Sequence, residues 1–283
     1  MRLDKFLADM GVGTRSDLKK AIRKSLVTVN GAVEKDPGTQ VSAEDRICFD
    51  GAEIRYAEQQ YYMLHKPAGV LSASEDRRQT TVVELINLND ALVRKDLFPV
   101  GRLDKDTEGL LIITNDGPLA HQLLVPKHHI DKTYYAIVTG TITEDDQRAF
   151  TRGIRYDEKL TALPATLRVL STGKTVAELR RALGFTATNE RLLRTRLAGP
   201  AFIGAEEPAD ITDDTLVSEV EITIQEGKFH QIKKMVKALP GGKEILYLRR
   251  ITMGALRLDP ALAPGEFRKL SESEVRILKD ETN

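Results

Sequence analysis

Cysteine is almost absent: Cys48 stands alone among 283 residues, so no intrachain disulfide can form and a reducing cytoplasm is the expected compartment. Neither it nor the five histidines, His65, His121, His128, His129 and His230, fall into a zinc-binding spacing, and no metal is expected. Long apolar runs are missing too. No stretch approaches the roughly 20 apolar residues of a membrane helix, and the opening "MRLDKFLADMGVG" carries charges where a secretory leader needs an unbroken apolar core. No membrane partner is expected. Net charge is also lacking, with 42 basic residues against 42 acidic ones. A zero sum would argue against a polyanionic partner if the charge were evenly spread. It is not, because residues 1–30 hold seven Lys or Arg against three Asp. No internal repeat is visible. The length allows one large domain, or a large domain with a small appendage.

The basic segment has a readable local structure. Thr14 followed by Asp17 resembles a capping box and predicts a helix from there to about Ser25. Lys19, Lys20, Arg23 and Lys24 recur on one face of it, while Leu18, Ala21 and Ile22 take the other. Asn30-Gly31 between short β-branched runs predicts a type I′ hairpin. The unit closes near residues 49–56, and "AEQQ" at 57–60 reads as a linker. The order "RLDKFL", basic helix, hairpin resembles an S4 domain, a small RNA-binding module. That resemblance implies RNA contacts for Arg2, Lys5, Arg15, Lys19, Lys20 and Arg23.

Beyond the linker, strands are predicted at "YYMLHK", "GLLIITNDG", "KTYYAIVTG" and "SEVEITIQEG", the last alternating Val220, Ile222 and Ile224 with polar residues. A helix is predicted over His230–Leu239, stopped by Pro240-Gly241-Gly242, and another begins at the Ser271 and Glu274 capping box. Without a regular βαβ rhythm, the class is α+β. Residues 171–216 read as an insertion, basic and helical at first and then an acidic loop, with Arg180, Arg181, Arg191, Arg194 and Arg196 as an added RNA contact or a packed decoration.

Chemistry concentrates in "VGRLDKDTEGLLIITNDG", where Asp104, Asp106, Glu108 and Asp116 surround an apolar run. A calcium loop is not supported, since Glu108 departs from the fifth position and Asn115 stands where the bidentate Glu belongs. "STGKT" lacks the first glycine of a phosphate loop, Arg168 holding that place. The stretch closely resembles the catalytic motif of the pseudouridine synthases in their RsuA-like, small-subunit ribosomal RNA branch. "LHKPAGVLSA" before it and "HHIDKTY", "EGKFHQIKKM" and "LAPGEFRKLSESEV" after it appear in that family's order.

The resemblance implies an S4 domain over 1–57, a catalytic domain over 61–283 and, in it, a mainly antiparallel or mixed sheet flanked by helices. It makes Asp104 the catalytic aspartate, Tyr134 the aromatic against the target base and Lys233 the cation paired with Asp104. Arg102, His230 and Gln231 would touch RNA. Isomerisation of uridine gains and loses no group, so no cofactor is implied. The expected partner is ribosomal RNA, 16S rRNA or a small-subunit assembly intermediate, with the protein a monomer. A large-subunit target, a non-catalytic RNA-binding or assembly protein of the same fold, and a nucleoside hydrolase stay open as alternatives.

Overall fold

The computed structural model describes residues 1–10, 12–42, 44–54, 59–87, 96–158, 160–182 and 211–281. They divide into two compact units, one built from Met1–Gln60 with Asp96 and the other from the remaining residues beyond Gln60.

In the first unit, helices α1 (Leu3–Asp9) and α2 (Arg15–Arg23) accompany a four-stranded antiparallel sheet. Its strands are β1 (Val27–Val29), β2 (Ala32–Val33), β3 (Ile47–Phe49) and β4 (Ala52–Ile54), in the order β2-β1-β3-β4. Thr14 caps α2 by accepting the Asp17 N–H, which satisfies one of the orphan donors of the first turn. The predicted hairpin is present: Asn30 and Gly31 both take positive φ, 52° and 84°, as a type I′ turn requires. Leu3, Phe6, Leu7, Leu18, Ile22, Val27 and Ile47 form the core.

The second unit is organised on a nine-stranded sheet. The strands are β5 (Tyr61–Lys66), β6 (Phe98–Pro99), β7 (Glu108–Thr114), β8 (Lys132–Thr139), β9 (Thr166–Thr175), β10 (Leu216–Ile224), β11 (Ile245–Met253), β12 (Leu256–Arg257) and β13 (Phe267–Lys269). The order is β13-β5-β7-β11-β8-β10-β9, with β6 pairing β7 and β12 pairing β11. Among these pairs only β7–β11 runs parallel. The sheet is therefore mixed and mainly antiparallel, and the class is α+β as predicted. Helices α3 (Val82–Asn87), α4 (Gly117–Leu124), α5 (Glu144–Arg152), α6 (Val176–Ala182), α7 (Gln231–Lys237) and α8 (Glu272–Asp280) complete it.

Every residue of β7 is buried. Leu111 and Ile113 join one apolar cluster with Tyr62, Tyr134 and Ile222, while Leu110 and Ile112 join another with Met63, Leu119 and Leu278. A strand covered on both faces needs an unbroken apolar run, because alternate side chains point to opposite sides. The parallel pair also needs Gly109. There φ is +107°, and a Cβ would lie 2.2 Å from the carbonyl oxygen of Arg250.

One segment differs from its sequence reading. Residues 171–175 continue β9, and Leu216 already belongs to β10, so those two ends of the predicted insertion are part of the sheet. The pairing is fixed across strands: Glu219 on β10 accepts from the Ser171 hydroxyl and from Lys174. Helix α6 agrees with the helical reading of the next residues, whereas 183–210, with Arg191, Arg194 and Arg196, lie outside the described residues.

Candidate active site

Asp104 sits on the loop between β6 and β7, and the backbone of that loop is held from several sides. Lys66, at the end of β5 and fully buried, donates through Nζ to the carbonyls of Pro67 (2.9 Å), Lys105 (3.1 Å) and Thr107 (3.0 Å). The Gly69 N–H bonds the Lys105 carbonyl at 2.7 Å. Ser72 donates from Oγ to the Leu103 carbonyl and accepts the Leu103 N–H, at 2.9 and 3.1 Å. "LHKPAGVLS" is thus a brace for the Asp104 loop. A buried ammonium is costly unless hydrogen-bonded, and three carbonyls meet that need. Sequence reasoning quoted this motif without giving Lys66 or Ser72 a role; a lysine directly before a proline at a strand end reads as surface.

Beside the loop opens a small hollow. Leu103, Tyr134, Ile224, Ile232 and Leu248 supply apolar wall, and Arg102, Asp104, Lys228, His230 and Lys233 supply charge or polarity. Apolar lining with a few convergent polar groups is the usual character of a small-molecule or nucleobase site. Tyr134 reaches it from β8 and is 7% exposed. His230 opens α7 in a left-handed conformation, φ 53°, and places Nε2 3.7 Å from Asp104 Oδ1.

Lys233 arrives from the first turn of α7 and stands within ion-pair distance of Asp104, while bonding Asp106 more closely. The resemblance pairs it with Asp104; its Nζ lies 2.6 and 2.7 Å from the two oxygens of Asp106 and 3.6 Å from Asp104 Oδ2. The ammonium bridges two carboxylates and is bonded closely to Asp106. Asp106 extends from the same turn as Asp104, so a cation lowered onto the loop from α7 meets both. Gln231 is buried, donating its amide to Glu226 at 2.6 Å and accepting the Lys228 N–H at 2.9 Å, so it ties down the turn before α7 while also lining the hollow. Arg102 stands exposed at the rim.

In the first unit, Arg2, Arg15 and Lys19 gather around Asp4, at 3.1, 3.3 and 3.8 Å. Asp4 is fully buried. Hydrogen bonding from Arg2 leads the effects that hold its carboxyl below the ordinary value, and burial opposes them. The three cations remain about half exposed, so one inaccessible anion fixes them while leaving their outer faces to solvent. Lys20 pairs with Asp17 at 3.6 Å, and Lys5 and Arg23 are exposed. Asp4 went unassigned in the sequence, although its place between Arg2 and Lys5 in "RLDK" was visible there.

Elsewhere in the second unit, Lys132 is pushed down to about 8 by burial, with Arg250 adding to the effect. Its Nζ donates to the Ile130 carbonyl. Burial also lowers His65, whose Nδ1 contacts the Leu262 carbonyl. Among the described residues no cluster of His, Cys, Asp or Glu could hold a metal ion, and no helix is long and apolar enough to cross a membrane.

A small basic unit that precedes, along the chain, a mixed-sheet unit with an acidic loop beside a hollow is the organisation to compare with known RNA-modifying proteins. The RNA pseudouridylate synthase family model matches residues 60–238, and the S4 domain model matches residues 1–47. The chain belongs to the RNA pseudouridylate synthase family, whose members are isomerases, and carries an S4 domain at its N-terminal end. It is 37% identical to the uncharacterised RNA pseudouridine synthase YtzG of Bacillus subtilis, over 99% of both chains. Ribosomal small subunit pseudouridine synthase A of Pasteurella multocida is 34% identical, over 97% of this chain and 98% of that one. Ribosomal large subunit pseudouridine synthase B of Bacillus subtilis is 33% identical, over 98% and 95%.

Proposed function

We propose that the protein isomerises uridine to pseudouridine in ribosomal RNA, most specifically in the small-subunit 16S rRNA, with Asp104 as the catalytic carboxylate. The observation that carries this reading is the meeting of Asp104, Tyr134 and the Lys233 ammonium on one apolar-walled hollow. The small subunit is favoured by the resemblance of "HHIDKTY" and "FHQIKKM" to the RsuA-like branch. The relatives named for the two subunits stand at almost equal identity, so the target is a matter for experiment.

The reaction breaks the bond between N1 and C1′, turns the freed base, and joins C5 to C1′. The C5 proton leaves to water and N1 takes one up, so the atoms balance without a cofactor. Asp104 acts at an electrophilic carbon, C6 of the base or C1′ of the ribose. Either way the carboxylate must be ionised and water must be kept from the intermediate. The Lys233 ammonium lies 3.6 Å from the Asp104 carboxylate, and Leu103, Ile224 and Leu248 provide apolar wall. Tyr134 faces the extruded base and offsets part of the few kcal/mol that unstacking costs. Arg2, Arg15 and Lys19, fixed around Asp4, take phosphates, which positions the RNA without reading its sequence.

Ribosomal RNA from cells lacking the gene, tritiated at uridine C5, tests the proposal. The wild-type protein should release tritium and leave pseudouridine in 16S rRNA, while Asp104→Asn should bind the RNA with similar affinity and release none. Substantial turnover by Asp104→Asn would overturn the assignment of Asp104. Pseudouridine confined to 23S rRNA would move the target to the large subunit, and release of free uracil would mark a hydrolase.

A further inference from the structure

Phe229 is the most exposed large apolar side chain among the described residues, at 66%. A single exposed apolar residue needs no explanation; this one has particular surroundings. Its ring lies face to face with that of His230, centroids 3.8 Å apart and planes 20° from parallel. Lys234 Nζ is 5.7 Å from its centroid, and Lys228 stands one residue before it. His230 in turn reaches to 3.7 Å from Asp104 and lines the hollow. One path therefore runs from the acidic group, through the imidazole, to an aromatic ring held out at the rim.

We propose that Phe229 is a stacking platform for the nucleobase next to the extruded uridine, an inference that rests on the reading of the hollow as a uridine site. A base that leaves its stack uncovers the π face of its neighbour, and an aromatic side chain at the mouth can cover it. The chemistry at the rim suits that ligand. Every base presents a π face, and the cation of Lys234 beside the ring matches a flanking phosphate. The separation of the Phe229 and His230 rings is also close to the roughly 3.4 Å spacing of stacked bases along a strand. The left-handed turn at His230 sets the pair, so little side-chain freedom is lost when a base docks.

Stacking of a base on an aromatic ring is worth about 1–3 kcal/mol by alanine substitution. Phe229→Ala should therefore raise KM for tritium release by roughly 5- to 150-fold, with kcat at saturating RNA changed much less. Phe229→Leu, which keeps an apolar side chain but has no π face, should behave like Phe229→Ala, and Phe229→Tyr should stay near wild type. The chain has no tryptophan, so Phe229→Trp provides a single fluorophore whose emission should be quenched when rRNA from the gene-deleted cells is added. An unquenched Phe229→Trp, or an alanine or leucine variant with wild-type KM, would overturn the platform. Quenching in a protein that releases no tritium would support the platform and refute the isomerase reading, so the two failures are distinguishable.

Discussion

Replacing Gly109 with alanine tests how the Asp104 loop is anchored to the sheet. Gly109 pairs with Arg250 where β7 and β11 run parallel, and its φ of +107° already disfavours an L side chain, at about 1–2 kcal/mol. The added Cβ would also fall 2.2 Å from the Arg250 carbonyl oxygen and 2.7 Å from its nitrogen. Both are backbone atoms, so no rotamer change relieves the clash and the two strands must part. Overpacking of this kind costs about 1–3 kcal/mol, and loss of a ladder hydrogen bond adds about 1 kcal/mol. The expected destabilisation is roughly 3–6 kcal/mol, a large share of the ~5–15 kcal/mol typical of a folded domain. At about 2–4 °C per kcal/mol for a unit of this size, calorimetry should show the transition of the second unit falling by roughly 6–24 °C. Gly69→Ala is the control, because φ there is +89° but nothing lies within 4 Å of the new atom, leaving only the conformational cost. If Gly109→Ala loses no more than Gly69→Ala, close strand approach is not what the glycine provides.

Lys233→Ala should keep its fold but leave Asp104 and Asp106 without their shared cation. Charge-assisted hydrogen bonds are worth about 1.5–3 kcal/mol, so kcat/KM for tritium release should fall roughly 10- to 150-fold, with partial recovery in Lys233→Arg; an unchanged kcat/KM would refute the bridging role. A second expectation concerns acid stability. Hydrogen bonds from Arg268 lead the effects that bring Glu274 down to about 2 from an ordinary 4.5, with its side chain 19% exposed. A carboxyl depressed in the folded state stabilises it fully above its unfolded value and loses that contribution as pH falls from about 4.5 to about 2, here roughly 2–3 kcal/mol after allowing for solvent screening. Arg268→Met should therefore flatten the acid limb of urea midpoints measured across that range, and an unaltered limb would show that the pair does not set it.

What could be read from the sequence is what neighbouring residues decide among themselves. Asn30-Gly31 specifies its turn by backbone preference alone, Ser271 and Glu274 close a capping box within one helical turn, and β7 announces burial on both faces by its unbroken apolar run. The motif order marked the family and the loop. Illegible were the features fixed by partners far along the chain. Residues 171–175 are small, polar and without alternation, so they carry no strand signal; their partner is Glu219 on another strand. Lys66 reads as a surface lysine until the carbonyls of Lys105 and Thr107, 39 and 41 residues later, enclose it. Lys233 and Asp106 are 127 residues apart, and nothing local tells which of two carboxylates a lysine will prefer.

These long-range contacts fall mostly on the one loop for which the chain has the greatest need of precision. A carboxylate on an unsupported loop would sample many positions, and a misplacement of about 1 Å can cost a hundredfold in rate. Here the loop is held by the buried ammonium of Lys66, by the paired bonds of Ser72, by Lys233 from α7 and by the close approach at Gly109. Three of those four supports come from chain segments other than the one that carries Asp104. On the proposed reading the acidic motif supplies the chemical group, and the separate motifs around it supply its position.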